Sequence, residues 1–206
     1  TGTTSVAGAI DTSNMVGAGG DVRVLGERVR VAADIDARGT THGGDVLIGG
    51  NWQGSGDERR AQTTIVTSDA TINTSGVGTG SAGTAVVWAD GHTSFAGRML
   101  AQGGEQGGDG AWIEVSGKET LDFRGFANAS AAKGENGTLL LDPRNITIFN
   151  GGSGTLSGTG FNDNVNNDVT FDADAITAVT NTGTNVILQA NTSISEQEDI
   201  ISNNPS

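Results

Sequence analysis

Residues 43–52 read GGDVLIGGNW, and residues 19–26 read GGDVRVLG. The same Gly-Gly-Asp-Val start recurs 24 residues on, each time followed by alternating apolar residues, which points to one structural unit used repeatedly. Further segments align with these two: Thr84–Trp88, Trp112–Ser116, Thr138–Asp142 and Asn185–Gln189. Side chains of a strand alternate between faces. One face of the six segments reads Val22/Val24, Val46/Ile48, Ala85/Val87, Ile113/Val115, Leu139/Leu141 and Val186/Leu188, apolar throughout. A one-residue slip would reverse every face, so this column fixes the register. It places Leu141 inside and Leu140 outside.

The segment starts are 24, 39, 28, 26 and 47 residues apart. Shorter strands fall between them, at 29–31, 65–66, 93–95, 121–123 and 146–148, with a third set at 35–37, 71–73 and 127–129. Three short strands per ~25 residues with glycine-rich corners describe one coil of a parallel β-helix, whose apolar face is buried only by stacking on its neighbours. A β-sandwich would alternate strands with hairpins and would not keep this period. The spacing of 39 is one coil plus an insertion at 49–62; that of 47 holds a larger excursion. The chain thus divides into coils over 1–149, with that insertion, and a continuation over 150–206 with a polar excursion and room for a short helix near 174–180. The glycine pairs are expected at tight corners that need positive φ.

Composition agrees with an all-β chain. Glycine is 34 of 206 residues, about 17% against a usual ~7%, without a period of three, so the excess serves turns. A net charge of −13 argues against a nucleic-acid groove, which would be basic. There is no cysteine, hence no disulfide or thiolate metal site. No stretch approaches the ~20 apolar residues of a membrane-spanning helix. The chain begins at Thr1 without a signal-peptide pattern and reads as a piece of something longer. Its first residues, TGTTSVAGAID, read as another strand set and predict an open end. The last, EQEDIISNNPS, carry charge and Pro205, which blunt an edge.

The runs GGDVLIGGNWQGSG (43–56), AGTAVVWADGHTSFAGRMLAQGG (82–104), GGDGAWIEVSGKETLDFRG (107–125) and NGTLLLDPRNITI (136–148) resemble large exoproteins of the filamentous-haemagglutinin type. VWAD, EVSGKE and LLLDPxNITI, in that order, carry the resemblance, which continues weakly through 172–195. It implies a right-handed parallel β-helix, export by two-partner secretion through an outer-membrane pore in Gram-negative bacteria, and a secreted or cell-surface place in adhesion, aggregation or scaffold building. It implies no catalytic residue.

Several motifs admit a bland reading. Gly78–Gly83 matches G-x-G-x-x-G, but it precedes a strand where a dinucleotide site needs a strand before and a helix after. Residues 103–110 lack the successive nonapeptides of a calcium-binding repeat. Residues 162–174, NDNVNNDVTFDAD, hold oxygen ligands but lack the glycine and final Glu of an EF-hand loop. No cofactor or metal is expected. Asp21 and Asp45 would stack beside Arg23, yet that column continues as Thr84, Trp112, Thr138 and Asn185, so no catalytic carboxylate pair persists and an enzyme is not expected. Five N-x-[ST] matches, at Asn73, Asn128, Asn136, Asn145 and Asn191, leave glycosylation open.

The outer face of the first strand set is less ordinary. Its middle column reads Arg23, Leu47, Val86, Glu114, Leu140, Ile187, flanked by Trp88 and Trp112. Either the insertion or a short helix covers this stripe, or Leu47, Trp52, Val86, Trp88, Trp112 and Leu140 form a partner surface. The three Trp residues would also suit stacking on sugars. Two functions follow: an adhesive or structural segment meeting a receptor or glycan on a host or neighbouring cell, or a subunit that self-associates end to end into a surface filament.

Overall fold

The computed structural model describes residues 2–149, 169–196 and 199–201. The polar excursion at 150–168, most of the Asn- and Asp-rich run at 162–174 and the last five residues lie outside the described residues.

The chain is a parallel β-helix. Its strands stack in three long parallel sheets, and each sheet takes one strand from successive coils. The first holds Val22–Val24, Val46–Ile48, Ala85–Ala89, Trp112–Gly117, Thr138–Pro143 and Asn185–Leu188 in that order. The second holds Thr3–Val6, Arg28–Val31, Thr63–Val66, His92–Phe95 and Thr120–Phe123, and the third Ile10–Asp11, Ile35–Asp36, Thr71–Asn73, Arg98–Leu100 and Phe126–Asn128. The first-sheet pairing puts Val22 on Val46, Val46 on Ala85, Ala85 on Ile113, Ile113 on Leu139 and Leu139 on Val186, the register read from the apolar column. Arg98–Leu100 is missing from the strands read in the sequence, although Met99 faces the core as Ile72 and Ala127 do in the coils on either side.

Inside the helix the columns continue from sheet to sheet. Val31, Val66, Phe95 and Phe123 line up in register, and the two Phe rings stack 5.5 Å apart at 11°. Polar side chains also enter the core, some of them to satisfy backbone carbonyls. Thr64 and Thr93 are fully buried, and their hydroxyls donate to the carbonyls of Trp88 (2.6 Å) and Ser116 (2.7 Å) where first-sheet strands end. A buried hydroxyl with such a partner avoids the desolvation cost of an unmade bond.

The Gly-Gly-Asp corners work differently from the expectation. Neither glycine of either pair has positive φ. Glycine is required by close approach: a Cβ on Gly43 would lie 1.8 Å from the Thr74 carbonyl oxygen. The Asp that follows bonds one coil to the next. Asp21 Oδ1 accepts the Asp45 N–H (3.0 Å), and Asp45 Oδ1 accepts the Thr84 N–H (2.8 Å). At the far corner, Asp11, Asp36, Asn73 and Asn128 each accept the backbone N–H two residues on, a stack of Asx turns. The N-x-[ST] matches at Asn73 and Asn128 therefore coincide with turn chemistry.

Two features depart from the simple repeat. Leu140 points to the outer face yet is only 2% exposed, like Leu141 at 1%, so the inside–outside contrast between them fails and a charge at either position is costly. The order of strands also changes after Pro143. Asn145–Phe149 does not continue the second sheet; it pairs with Val169–Asp172 on one side and Ser193–Glu196 on the other, while Val169–Asp172 lies beside Thr120–Phe123. Helix α1 (Ala173–Thr180) follows and packs against Phe126–Asn128 where a third-sheet strand would stand, burying Ala173, Ile176 and Val179.

Close approach at the corners is directly testable. Gly43→Ala is expected to lower stability by about 1–3 kcal/mol, the usual cost of overpacking. Gly8→Ala, where nothing lies within 4 Å of the new methyl, should change it by no more than about 0.5 kcal/mol. Urea midpoints of the two variants check this.

Candidate functional site: a groove under a strap

Residues 49–62 leave the coil and lie across the outer face of the first sheet. The strap starts at Gly49 (φ 78°) and makes one 3-10 turn, Trp52–Gly54. The Asn51 side chain caps that turn by accepting the Trp52 N–H (2.7 Å), and Gln53 sits in the left-handed region at φ 49°, unusual for a residue with a side chain. Gly54 rests on the Trp88 indole; a Cβ there would come within 2.6 Å of the ring. Arg60 locks the return, donating to Asp90 (3.0 Å) and to the Gly54 carbonyl (3.1 Å). The Asp57–Arg60 charges thus include the latch of the strap.

Beneath the strap, Leu47, Val86 and Trp88 form a small apolar cluster separate from the main core, with Trp52 packed on it. Of the six outer-face residues singled out from sequence, Leu47, Val86, Trp88 and Leu140 are at most 8% exposed, so they are not a free partner surface. The reason for the first three is the strap: of the covers that the sequence admitted, the insertion at 49–62 is the one that lies over them. Trp112 stays 46% exposed, and Trp52 is half-buried with its ring 5.3 Å from that of Trp112 at 79°, edge to face.

These two rings border an open groove of about 630 Å³. Leu47 and Val86 form its floor. Asn51, Trp52 and Glu58 line the strap side; Arg23, Asp45, Thr84 and Trp112 line the sheet side. Arg23 lies 3.9 Å from Glu58 and 4.0 Å from Asp21, and Asn51 Nδ2 donates to Glu58 (3.3 Å). Glu58 and Asn51 were not legible as site residues, because their place depends on how the strap folds back. Arg23 and Asp45 were visible only as members of the outer column.

Glu114 is the anchor of the strap. Its side chain is fully buried, next in register to Val86 and Leu140, and its Oε2 accepts the Gln53 N–H at 2.8 Å. Among the described residues its Oε1 has no hydrogen-bond partner. Burial raises its pKa to about 7; the Gln53 N–H and the neighbouring Ser116 hydroxyl oppose the rise, and the nearby Asp142 carboxylate adds to it. Asp142 is itself raised by burial.

The remaining motifs resolve as scaffold. Gly78–Gly83 leads into the strand Ala85–Ala89, not a helix. Asp21 and Asp45 spend an oxygen each on backbone N–H groups of the next coil. Among the described residues no group of three or more His, Asp or Glu could hold a metal ion, and no helix is long and apolar enough to cross a membrane.

The raised pKa of Glu114 makes stability depend on pH. The folded state holds the proton more tightly than the unfolded chain, whose Glu titrates near 4.5. The contribution is therefore full below pH 4.5 and is lost as pH rises through about 7. Relative to Glu114→Gln, which cannot ionise, the wild-type protein is expected to lose on the order of 3 kcal/mol between those limits, at about 1.4 kcal/mol per pKa unit. Asp142 titrates in both proteins, so the difference between their urea midpoints across pH reports Glu114 together with its interaction with Asp142.

No protein-family model and no curated protein matches this chain.

Proposed function

We propose that this chain is a non-enzymatic structural and adhesive β-helix segment of a secreted or cell-surface bacterial exoprotein of the filamentous-haemagglutinin type. One observation carries the reading: the motifs of the resemblance fall at structural joints. In VWAD, Trp88 carries the strap and Asp90 takes its Arg60 latch. In EVSGKE, Glu114 anchors Gln53. In LLLDPRNITI, the chain passes from the first sheet to the displaced strand. Residues so placed build and brace a rod, and they leave an exposed groove on its side for contact with another surface. The partners are a receptor or glycan on a host or neighbouring cell, with an outer-membrane pore for the parent chain. The charge of −13 disfavours nucleic acid.

A filament subunit is the second reading. It is favoured by Met15 and Val16, which are 51% and 93% exposed beside the first coil. Beads coated with the purified segment are expected to retain host or bacterial cells above uncoated beads; retention at background sinks the adhesive reading. Sedimentation velocity over a hundredfold concentration range should show a single small species. Growth of large species that the Met15→Ser/Val16→Ser variant abolishes would favour the filament instead.

A further inference from the structure

We propose that the groove between the strap and the first sheet binds uncharged hexose units of a glycan, with one ring lying on Trp112. This rests on the adhesive reading and names the ligand class of its contact site. A hexopyranose presents a patch of C–H groups on one face and hydroxyls around its edge. Trp112 offers a flat apolar surface, half exposed at the start of a strand paired with Thr138–Pro143, with the Trp52 ring set nearly perpendicular at 5.3 Å as a side wall. Around it stand Asp45, Glu58 and Asn51, whose oxygens accept from hydroxyls, and Arg23, whose guanidinium donates to them. An apolar floor with a few convergent polar groups is the usual make-up of a small-ligand site. The volume of about 630 Å³ leaves room for more than one ring.

Charge and backbone decide against other occupants. Two carboxylates line the groove against one guanidinium, which already faces Glu58 and Asp21, so a sulfated or sialylated sugar meets repulsion. A peptide docking by strand addition needs an open sheet edge. The floor here is a sheet face, whose strands Val22–Val24, Val46–Ile48 and Ala85–Ala89 pair with one another. The site is also prearranged, since the Asn51 cap, the Gln53–Glu114 bond and the Arg60 latch hold the Trp52 wall before any ligand arrives. That removes an ordering cost from binding.

The test is an isothermal calorimetric titration of the whole chain with neutral gluco-, galacto- and manno-tetrasaccharides, beside sialyllactose and a sulfated chondroitin disaccharide. At least one neutral series is expected to bind saturably. Trp112→Ala should weaken that binding at least tenfold with an unchanged melting temperature, and Glu58→Gln should weaken it less. The proposal is overturned if no neutral saccharide binds, if the anionic sugars bind in preference, or if Trp112→Ala binds as well as the parent. Cell retention by Trp112→Ala beads keeps the two readings apart. Retention that persists without sugar binding in the wild type sinks only the groove proposal; sugar binding without any cell retention sinks only the adhesive reading.

Discussion

Each coil of this protein has to lie within hydrogen-bonding distance of the coils stacked on it, along three sheets at once, and everything else follows from that approach. Strand pairs in a sheet are about 4.8 Å apart. At the corners the separation leaves no space for a Cβ, which is why Gly43 faces the Thr74 carbonyl oxygen. The same closeness turns corner carboxylates into acceptors for the neighbouring coil, as Asp21 is for Asp45 and Asp45 for Thr84. Hydrophobic columns supply the driving force, but the corners determine that only one stacking distance and one register are permitted.

A parallel sheet covered on both faces is the normal condition of such strands. The first sheet meets that condition on its inner side through the core and on part of its outer side through the strap. Placing Glu114 at this covered position is costly for a carboxylate, since burial favours its neutral form. What the position gains is an acceptor for the Gln53 N–H at the point where the strap takes its left-handed residue. The Trp52 wall of the groove is held by that bond together with the Asn51 cap and the Arg60 latch.

The apolar columns were legible because strand alternation leaves a trace of period two: Val22/Val24 through Val186/Leu188 could face only one way. The same signal says which face a residue is on and nothing about what lies above it; the spacing of 39 marked the insertion as a cover for Leu47 and Val86, which are buried beneath it, whereas Leu140 read as outside and is buried as well. Glycine was legible as a corner, but the sequence does not distinguish a need for positive φ from a need for close approach; at Gly43 it is the second. Of the groove, Trp112 stood out as an aromatic residue on an outer face and Trp52 as one carried by the insertion. Asn51 and Glu58 did not, since their position is a property of the folded strap. The strand exchange after Pro143 left no trace at all, because period-two alternation is the same whichever neighbour a strand pairs with.

That exchange has a consequence for the order in which the chain can be built. Every strand from Thr3 to Pro143 can dock on a coil already completed upstream, so a chain emerging from its N-terminus can add those coils one after another. Asn145–Phe149 cannot, because both of its partners, Val169–Asp172 and Ser193–Glu196, come later in the chain. Closing loops of this length before any pairing is gained is slow relative to local zippering. A chain emerging N-terminus first would therefore assemble its first five coils as it arrives, and halt at residue 145 until Val169–Asp172 has followed.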